Sequence, residues 1–223
     1  LVVAMVRAFV ELWNLPLDEY EIAQLAFRIE RVDCGLEGGR QDQYSAAFGG
    51  VNYMEFFAGE HVIVNPLRIK PWVISELEAS TVLLYTGVSR ESARIIADQR
   101  GGIAAGNTRS IEAMHGLKRE AQVMKECLLR GDFEGLIRSM QQGWAAKKIS
   151  SSSVSNSLID SIYDAAIAAG ARAGKVSGAG GGGFMLFFVP PERRMDVIRV
   201  LEGFEGLVSN CHFTKHGAQA WSL

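Results

Sequence analysis

Two stretches of this sequence carry residue types that could do chemistry at their spacing. The first is Glu37-Gly-Gly-Arg-Gln-Asp-Gln-Tyr-Ser-Ala-Ala-Phe-Gly-Gly50, which sets Asp42, Gln43 and Tyr44 side by side between glycine pairs. Asp42 stands at the opening of a short helix, where a carboxylate can cap the helix by accepting backbone N–H bonds. The same carboxylate, held in a cleft, could instead take a proton from a substrate hydroxyl. Arg40 is close enough in sequence to hold Asp42 ionised or to bind a phosphate. Upstream, Glu30 lies between Arg28 and Arg31. On a helix surface such charges form weak exposed pairs. Beside the Asp42 loop, the carboxylate could serve as a Mg²⁺ ligand, since Mg²⁺ takes one or two carboxylates plus phosphate oxygens.

The second stretch is Lys175-Val-Ser-Gly-Ala-Gly-Gly-Gly-Gly-Phe-Met-Leu-Phe-Phe188, where five of the six residues Gly178, Ala179, Gly180, Gly181, Gly182 and Gly183 are glycine. Ordering so many glycines is entropically costly. A two-residue hairpin would need one or two. Backbone amides free of side chains can form a concavity that binds phosphate. The competing reading is a connection in which two backbones pack closely. A further arginine, Arg90, follows Thr86-Gly87 and could hold a sugar phosphate at a helix N-terminus or lie on the surface.

The elements that must position these groups follow from periodicity and punctuation. Leu1 to Trp13 reads as a helix already under way, with neither an initiator Met nor an N-cap before it, so an upstream segment is expected. Asp18 to about Val32 is a second helix with acidic residues in its first turn. Gln41 to Phe48 is a short helix, followed by strands over Val51–Phe57 and His61–Asn65. Thr81–Thr86 is a strand that leads to a helix over Ser89–Gln99. The glycines of Arg100–Gly106 predict a flexible connection. Long helices then span Thr108–Arg130 and Asp132–Ala146, with Ser150–Ser153 as a polar linker. Asn156–Ala169 is a helix ended by Gly170. Strand, glycine loop, strand and a helix opened by Pro190-Pro191 come next. A terminal hairpin is predicted from Cys211–Lys215 and Ala218–Trp221. Segregated helices and antiparallel hairpins define an α+β layer, ferredoxin-like from Thr81 onward, with Leu1–Asn65 as a separate layer.

Composition narrows the function classes. The net charge of -2 gives no global attraction for nucleic acid or an anionic membrane. The apolar runs are too short to span a bilayer. Three well-separated cysteines, Cys34, Cys127 and Cys211, argue against a disulfide framework and fit a reducing cytoplasm. His212 and His216 share an HxxxH spacing in a predicted hairpin with no carboxylate or cysteine partner expected, which favours surface or packing roles. Trp13, Trp72 and Trp144 read as core or interface anchors.

Together, the two stretches resemble the GHMP small-molecule kinases, the superfamily of galactokinase, homoserine kinase and the mevalonate pathway kinases. Val176-Ser-Gly-Ala-Gly-Gly-Gly-Gly-Phe184 is similar to that family's third motif, a glycine loop near the nucleotide phosphates. Gln41-Asp-Gln-Tyr44 is similar to the segment with its catalytic aspartate, and Glu30 lies where the family places a Mg²⁺-binding glutamate. Arg28-Ile-Glu-Arg-Val-Asp33, the Gly38–Asn52 segment, Tyr85–Ser92 and Gly174–Met185 resemble the branch acting on D-glycero-D-manno-heptose 7-phosphate. The resemblance implies a GHMP kinase-like two-layer fold divided into 1–78 and 79–223. It also implies ATP and Mg²⁺ as cofactors and a sugar phosphate as substrate, and is compatible with a homodimer. It places catalysis on Asp42, the metal on Glu30 and nucleotide contacts on Gly178–Gly183. Substrate contacts fall to Arg40, Gln43, Tyr44 and Arg90. The family's central Gly-Leu-Gly-Ser-Ser-Ser-Ala phosphate loop is absent, and Leu1-Val-Val-Ala-Met5 looks like the helix that follows it.

Overall fold

The computed structural model describes residues 1–88 and 92–222, without the side chains of residues 92–94. Two compact units emerge: Leu1–Arg68 together with Phe213–Leu223, and Ile69–His212. The break therefore falls ahead of residue 78, and the last residues return to the first unit.

In the first unit, α1 (Val2–Leu12) buries Val3, Val6 and Val10, one stripe of the helix. Next, α2 (Glu19–Arg28) opens on a reciprocal capping box: Glu21 N–H donates to Asp18 Oδ1 and Asp18 N–H to Glu21 Oε2, each at 2.9 Å. Small residues, Ala23 and Ala26 of α2 and Ala47 of α3 (Gln41–Phe48), let these helices approach closely. A two-stranded antiparallel sheet of β1 (Asn52–Phe56) and β2 (Val62–Pro66) completes the layer, with Met54 opposite Val64. Val62 and Val64 face the same core as the α1 stripe.

The predicted terminal hairpin does not form. Residues 211–222 take no regular structure, and they pair with the end of α3 instead. Gly50 N–H donates to Thr214 O at 3.1 Å, and Ala218 N–H donates to Ala46 O at 2.8 Å. The crossing is so close that a Cβ on Gly217 would lie 2.0 Å from Ala47 O, and one on Gly49 2.1 Å from the His216 carbonyl carbon. Two backbones pass here because neither has a side chain to interpose.

The second unit begins with α4 (Pro71–Ser80), a helix that sequence periodicity left out although Pro71 sits at its first turn. It leads into β3 (Thr81–Tyr85), then α5 (Ser92–Ala104), α6 (Thr108–Arg130), α7 (Phe133–Ser150) and α8 (Ser157–Ala169). The chain continues through β4 (Ala173–Val176), β5 (Phe184–Phe188), α9 (Arg194–Leu201) and β6 (Leu207–Asn210). The sheet runs β4-β5-β3-β6, antiparallel throughout, with Leu83 paired to Leu186 and Val82 to Asn210. From β3 onward this is the ferredoxin-like βαββαβ order, with the first and third strands central.

Alternation does the packing. Val82 and Leu84 of β3 and Met185 and Phe187 of β5 point to one face, where Ile159, Ile162 and Ala166 of α8 and Val197 and Leu201 of α9 cover them. Each large side chain buried there contributes roughly 1.5–3 kcal/mol. The expected flexible connection at Arg100–Gly106 is helical as far as Ala104, with Ala105 N–H bonded to Gly101 O at 2.9 Å. Gly102 makes room for the start of α6, since a Cβ there would meet Ser110 Oγ at 3.0 Å. The Ser150–Ser153 linker is tied down as well: Ser150 is buried and accepts from Gln99 Nε2 at 2.8 Å, while Ser153 Oγ donates to Asp98 Oδ2 at 2.9 Å. Trp144 lies in the core, whereas Trp13 and Trp72 are exposed.

Candidate functional site

The first cluster is built where α2 ends. Its last turn does not simply stop but widens into a π-helical turn over Ile29–Asp33, with Cys34 N–H donating to Ile29 O at 2.9 Å. Such turns recur at functional sites because they re-aim a side chain without breaking the helix. Glu30 sits in this turn, half-buried. Arg31 turns back to donate to Glu37 O at 3.1 Å, and its guanidinium packs where Gly38 lacks a Cβ. Arg40 stands over the Phe27 ring at 4.9 Å, a cation–π contact that holds the approach to α3.

Asp42 is the second residue of α3 and is exposed. It is not the N-cap, which is Arg40, and no side chain caps this helix. The capping alternative thus falls away, leaving an accessible carboxylate on a fixed element. Gln43 is only 2% exposed, and its Nε2 donates to Glu30 Oε2. Gln43 Oε1 is buried and has no partner among the described residues. Tyr44 is 3% exposed and ringed by Tyr20, Phe48 and Phe56, with centroids 6.0–6.4 Å away. Burial pushes its phenol pKa up. Two of the four residues expected as substrate contacts are therefore interior: Tyr44 as an aromatic core member, Gln43 as the partner of Glu30.

The second cluster is the glycine loop between β4 and β5. Gly181 N–H donates to Val154 O at 2.9 Å and Gly183 N–H to Val88 O at 2.8 Å, while Asn156 Nδ2 donates to Gly181 O at 3.2 Å. The N–H groups of Gly178, Ala179, Gly180 and Gly182 make no such bond among the described residues. Close packing is also real: a Cβ on Gly180 would lie 2.8 Å from Val154 O. The two readings of the glycine run coexist, since some of its amides anchor the loop and others remain as donors. A cavity of about 140 Å³ lies against the loop, lined by Thr86, Val88, Asn156, Ser157, Gly181 and Gly182.

Lys147 of α7 is a participant that sequence reasoning missed. Its Nζ donates to Gly178 O, and to Val176 O at 3.4 Å. Burial, reinforced by the Lys175 charge, pushes its pKa down to about 8. Burial lowers Lys175 in the same direction. Arg90 lies outside the described residues. His212 does have a carboxylate partner, Glu78, with Nδ1 to Oε1 at 2.9 Å, a contact at the surface.

Among the described residues no three His, Cys, Asp or Glu side chains gather into a metal cage. A Mg²⁺ ion that keeps several waters and phosphate oxygens needs only one or two carboxylates. Glu30 fits that demand: one oxygen is held by Gln43, and an unpaired acceptor, Gln43 Oε1, lies on the same amide.

Comparison with known families accounts for both clusters. The description "GHMP kinases N terminal domain" matches residues 1–50, and "GHMP kinases C terminal" matches residues 124–204. This chain belongs to the GHMP kinases. The first match contains Glu30 and Asp42; the second contains Lys147 and the glycine loop. Over all 223 residues the chain is 50% identical to the D-glycero-alpha-D-manno-heptose 7-phosphate kinase of Campylobacter jejuni. It spans 65% of the length of that GHMP kinase relative. A solved structure from Campylobacter jejuni superposes with a TM-score of 0.77 at 49% identity, covering 99% of this chain and 62% of that one. A D-glycero-D-manno-heptose 1-phosphate kinase from Bacteroides thetaiotaomicron gives 0.78 at 41%, covering 99% and 61%. Among the described residues no helix is long and apolar enough to cross a membrane.

Proposed function

We propose that the full protein is an ATP-dependent sugar kinase. It phosphorylates the C1 hydroxyl of D-glycero-D-manno-heptose 7-phosphate, giving the 1,7-bisphosphate for nucleotide-heptose synthesis. The observation that carries the substrate is the 50% identity to a heptose 7-phosphate kinase, which extends over the whole chain and so over both clusters.

The chemistry follows from the residues. The exposed Asp42 carboxylate, fixed on α3, receives the hydroxyl proton as the C1 oxygen bonds to the γ-phosphorus and the β,γ-bridging bond breaks, releasing ADP. Glu30 would hold Mg²⁺, which neutralises phosphate charge when bound. The unengaged N–H groups of Gly178, Ala179, Gly180 and Gly182 donate to phosphate oxygens, and their positions are set by the Val154 and Val88 anchors. Arg40, fixed over Phe27, supplies a cation for the sugar phosphate.

The test is ATP consumption by the full-length protein against heptose 7-phosphate, galactose, fucose and phosphomevalonate, with the product identified by phosphorus NMR. One relative is named for a 7-phosphate and another for a 1-phosphate substrate, so the carbon that gains phosphate is the informative readout. Turnover with another panel member would reassign the substrate. Nucleotide binding without turnover on any of them would overturn the catalytic reading.

A further inference from the structure

Gln43 is a long polar side chain placed where an apolar one would be expected. It stands on α3 beside the buried Tyr44, in the unit whose core holds the α1 valines and the α2 alanines, and only 2% of it is exposed. Burying an amide costs free energy unless it is hydrogen-bonded. One end is satisfied, by Nε2 donating to Glu30 Oε2. The other end, Oε1, has no partner among the described residues. Turning the amide over would set Oε1 against the carboxylate oxygen, so the orientation is fixed by charge. A buried amide with one end on a carboxylate and the other unpaired is ill suited to stability alone, since an orphaned acceptor loses its hydration without a replacement.

The backbone supports the same geometry. The π-helical turn at Ile29–Asp33 redirects Glu30 from the α2 register, and Gln43 follows Asp42 directly on α3. One short helix thus presents the proton acceptor and grips the second carboxylate.

We infer that Gln43 is a positioning residue for a divalent cation: it holds Glu30 by Oε2, leaving the other carboxylate oxygen for the ion. The inference rests on Glu30 as the cation's carboxylate, and it assigns Gln43 a role other than touching the sugar. Partners that orient a metal's carboxylate typically change affinity by about 10- to 100-fold when removed.

The experiment titrates Mn²⁺ into full-length protein with AMPPNP and follows free Mn²⁺ by electron paramagnetic resonance, which needs no turnover. Gln43→Met, similar in volume but without polar atoms, is expected to weaken Mn²⁺ binding by about 10-fold or more. Its melting temperature should hold or rise, because the orphaned acceptor is gone. Gln43→Asn, one methylene short of Glu30, serves as a second variant and should weaken binding similarly. In Glu30→Gln, adding Gln43→Met should change Mn²⁺ affinity no further. If Mn²⁺ affinity stays within twofold in both Gln43 variants while Glu30→Gln weakens it, the positioning role is overturned and the metal reading stands. If Glu30→Gln also leaves Mn²⁺ binding unchanged, both are overturned. A fall in melting temperature with intact Mn²⁺ binding would make Gln43 a packing residue only.

Discussion

Replacing Gly180 with alanine tests whether packing or backbone freedom dictates the glycine loop. Gly180 is buried with φ at +122°, a conformation L side chains rarely adopt. Its added Cβ would lie 2.8 Å from Val154 O and 2.9 Å from Val154 Cα, both backbone atoms that no rotamer change can move aside. The strained dihedral costs about 1–3 kcal/mol. Overpacking against rigid backbone adds a further ~1–3 kcal/mol. The sum of about 2–6 kcal/mol corresponds to a loss of roughly 4–24 °C in melting temperature for a chain of this size. Gly178→Ala is the control: its φ is +74° and nothing lies within 4 Å of the added Cβ. Only the left-handed cost of about 1–2 kcal/mol applies there. Calorimetry on the two variants measures the difference, and hydrogen exchange at the Gly181 amide reports whether its bond to Val154 has opened. Gly180→Ala melting within about 2 °C of Gly178→Ala would refute the argument that contact with Val154, and not φ alone, requires this glycine.

Three further outcomes are expected. Asp42→Asn should reduce turnover by about 100-fold or more, while its exposure leaves the melting temperature nearly unchanged; near-normal steady-state turnover would remove it from the proton-accepting role. Asn156→Ala removes the side chain that accepts from Leu158 and Ile159 N–H, both at 3.1 Å, and should cost about 1 kcal/mol by urea denaturation. For Lys147, the folded pKa of about 8 lies below the ordinary lysine value of 10.5, so the folded state releases this proton first. Its contribution to stability therefore grows as pH rises from about 8 to 10.5. The urea midpoint of the unmodified protein should gain on that of Lys147→Met across this range; a constant gap would contradict the buried ammonium.

Local signals in the sequence were enough to find the capped helices. Asn156 and Gly170 bound α8, Gly131 ends α6, and short apolar runs around Leu83 and Leu186 mark the central strands. Asp42 and the glycine run stood out because their composition is unusual over a few residues. Features made by distant pairs were not legible. The bond from Gln43 to Glu30 depends on a π-helical turn with no residue signature, and Lys147 reaches Gly178 from another element of the fold. The terminal hairpin failed for a related reason. Its alternating residues suit a strand, but the backbone bonds of Thr214 and Ala218 are taken by Gly50 and Ala46. Likewise α4 was passed over because few residues set its pattern, although Val73 and Leu77 share its buried face.

The crossing at Gly49 and Gly217 also orders events during synthesis. Ala46 O and Gly50 N–H wait for partners that leave the ribosome only after all of Ile69–His212. The second unit, made of contiguous chain, can condense first. The first can begin to assemble earlier but not close, because these backbone bonds join residues 46–50 to 214–218 and closing so long a loop is slow. A nascent chain therefore carries an unfinished aspartate-bearing layer until Thr214 and Ala218 arrive.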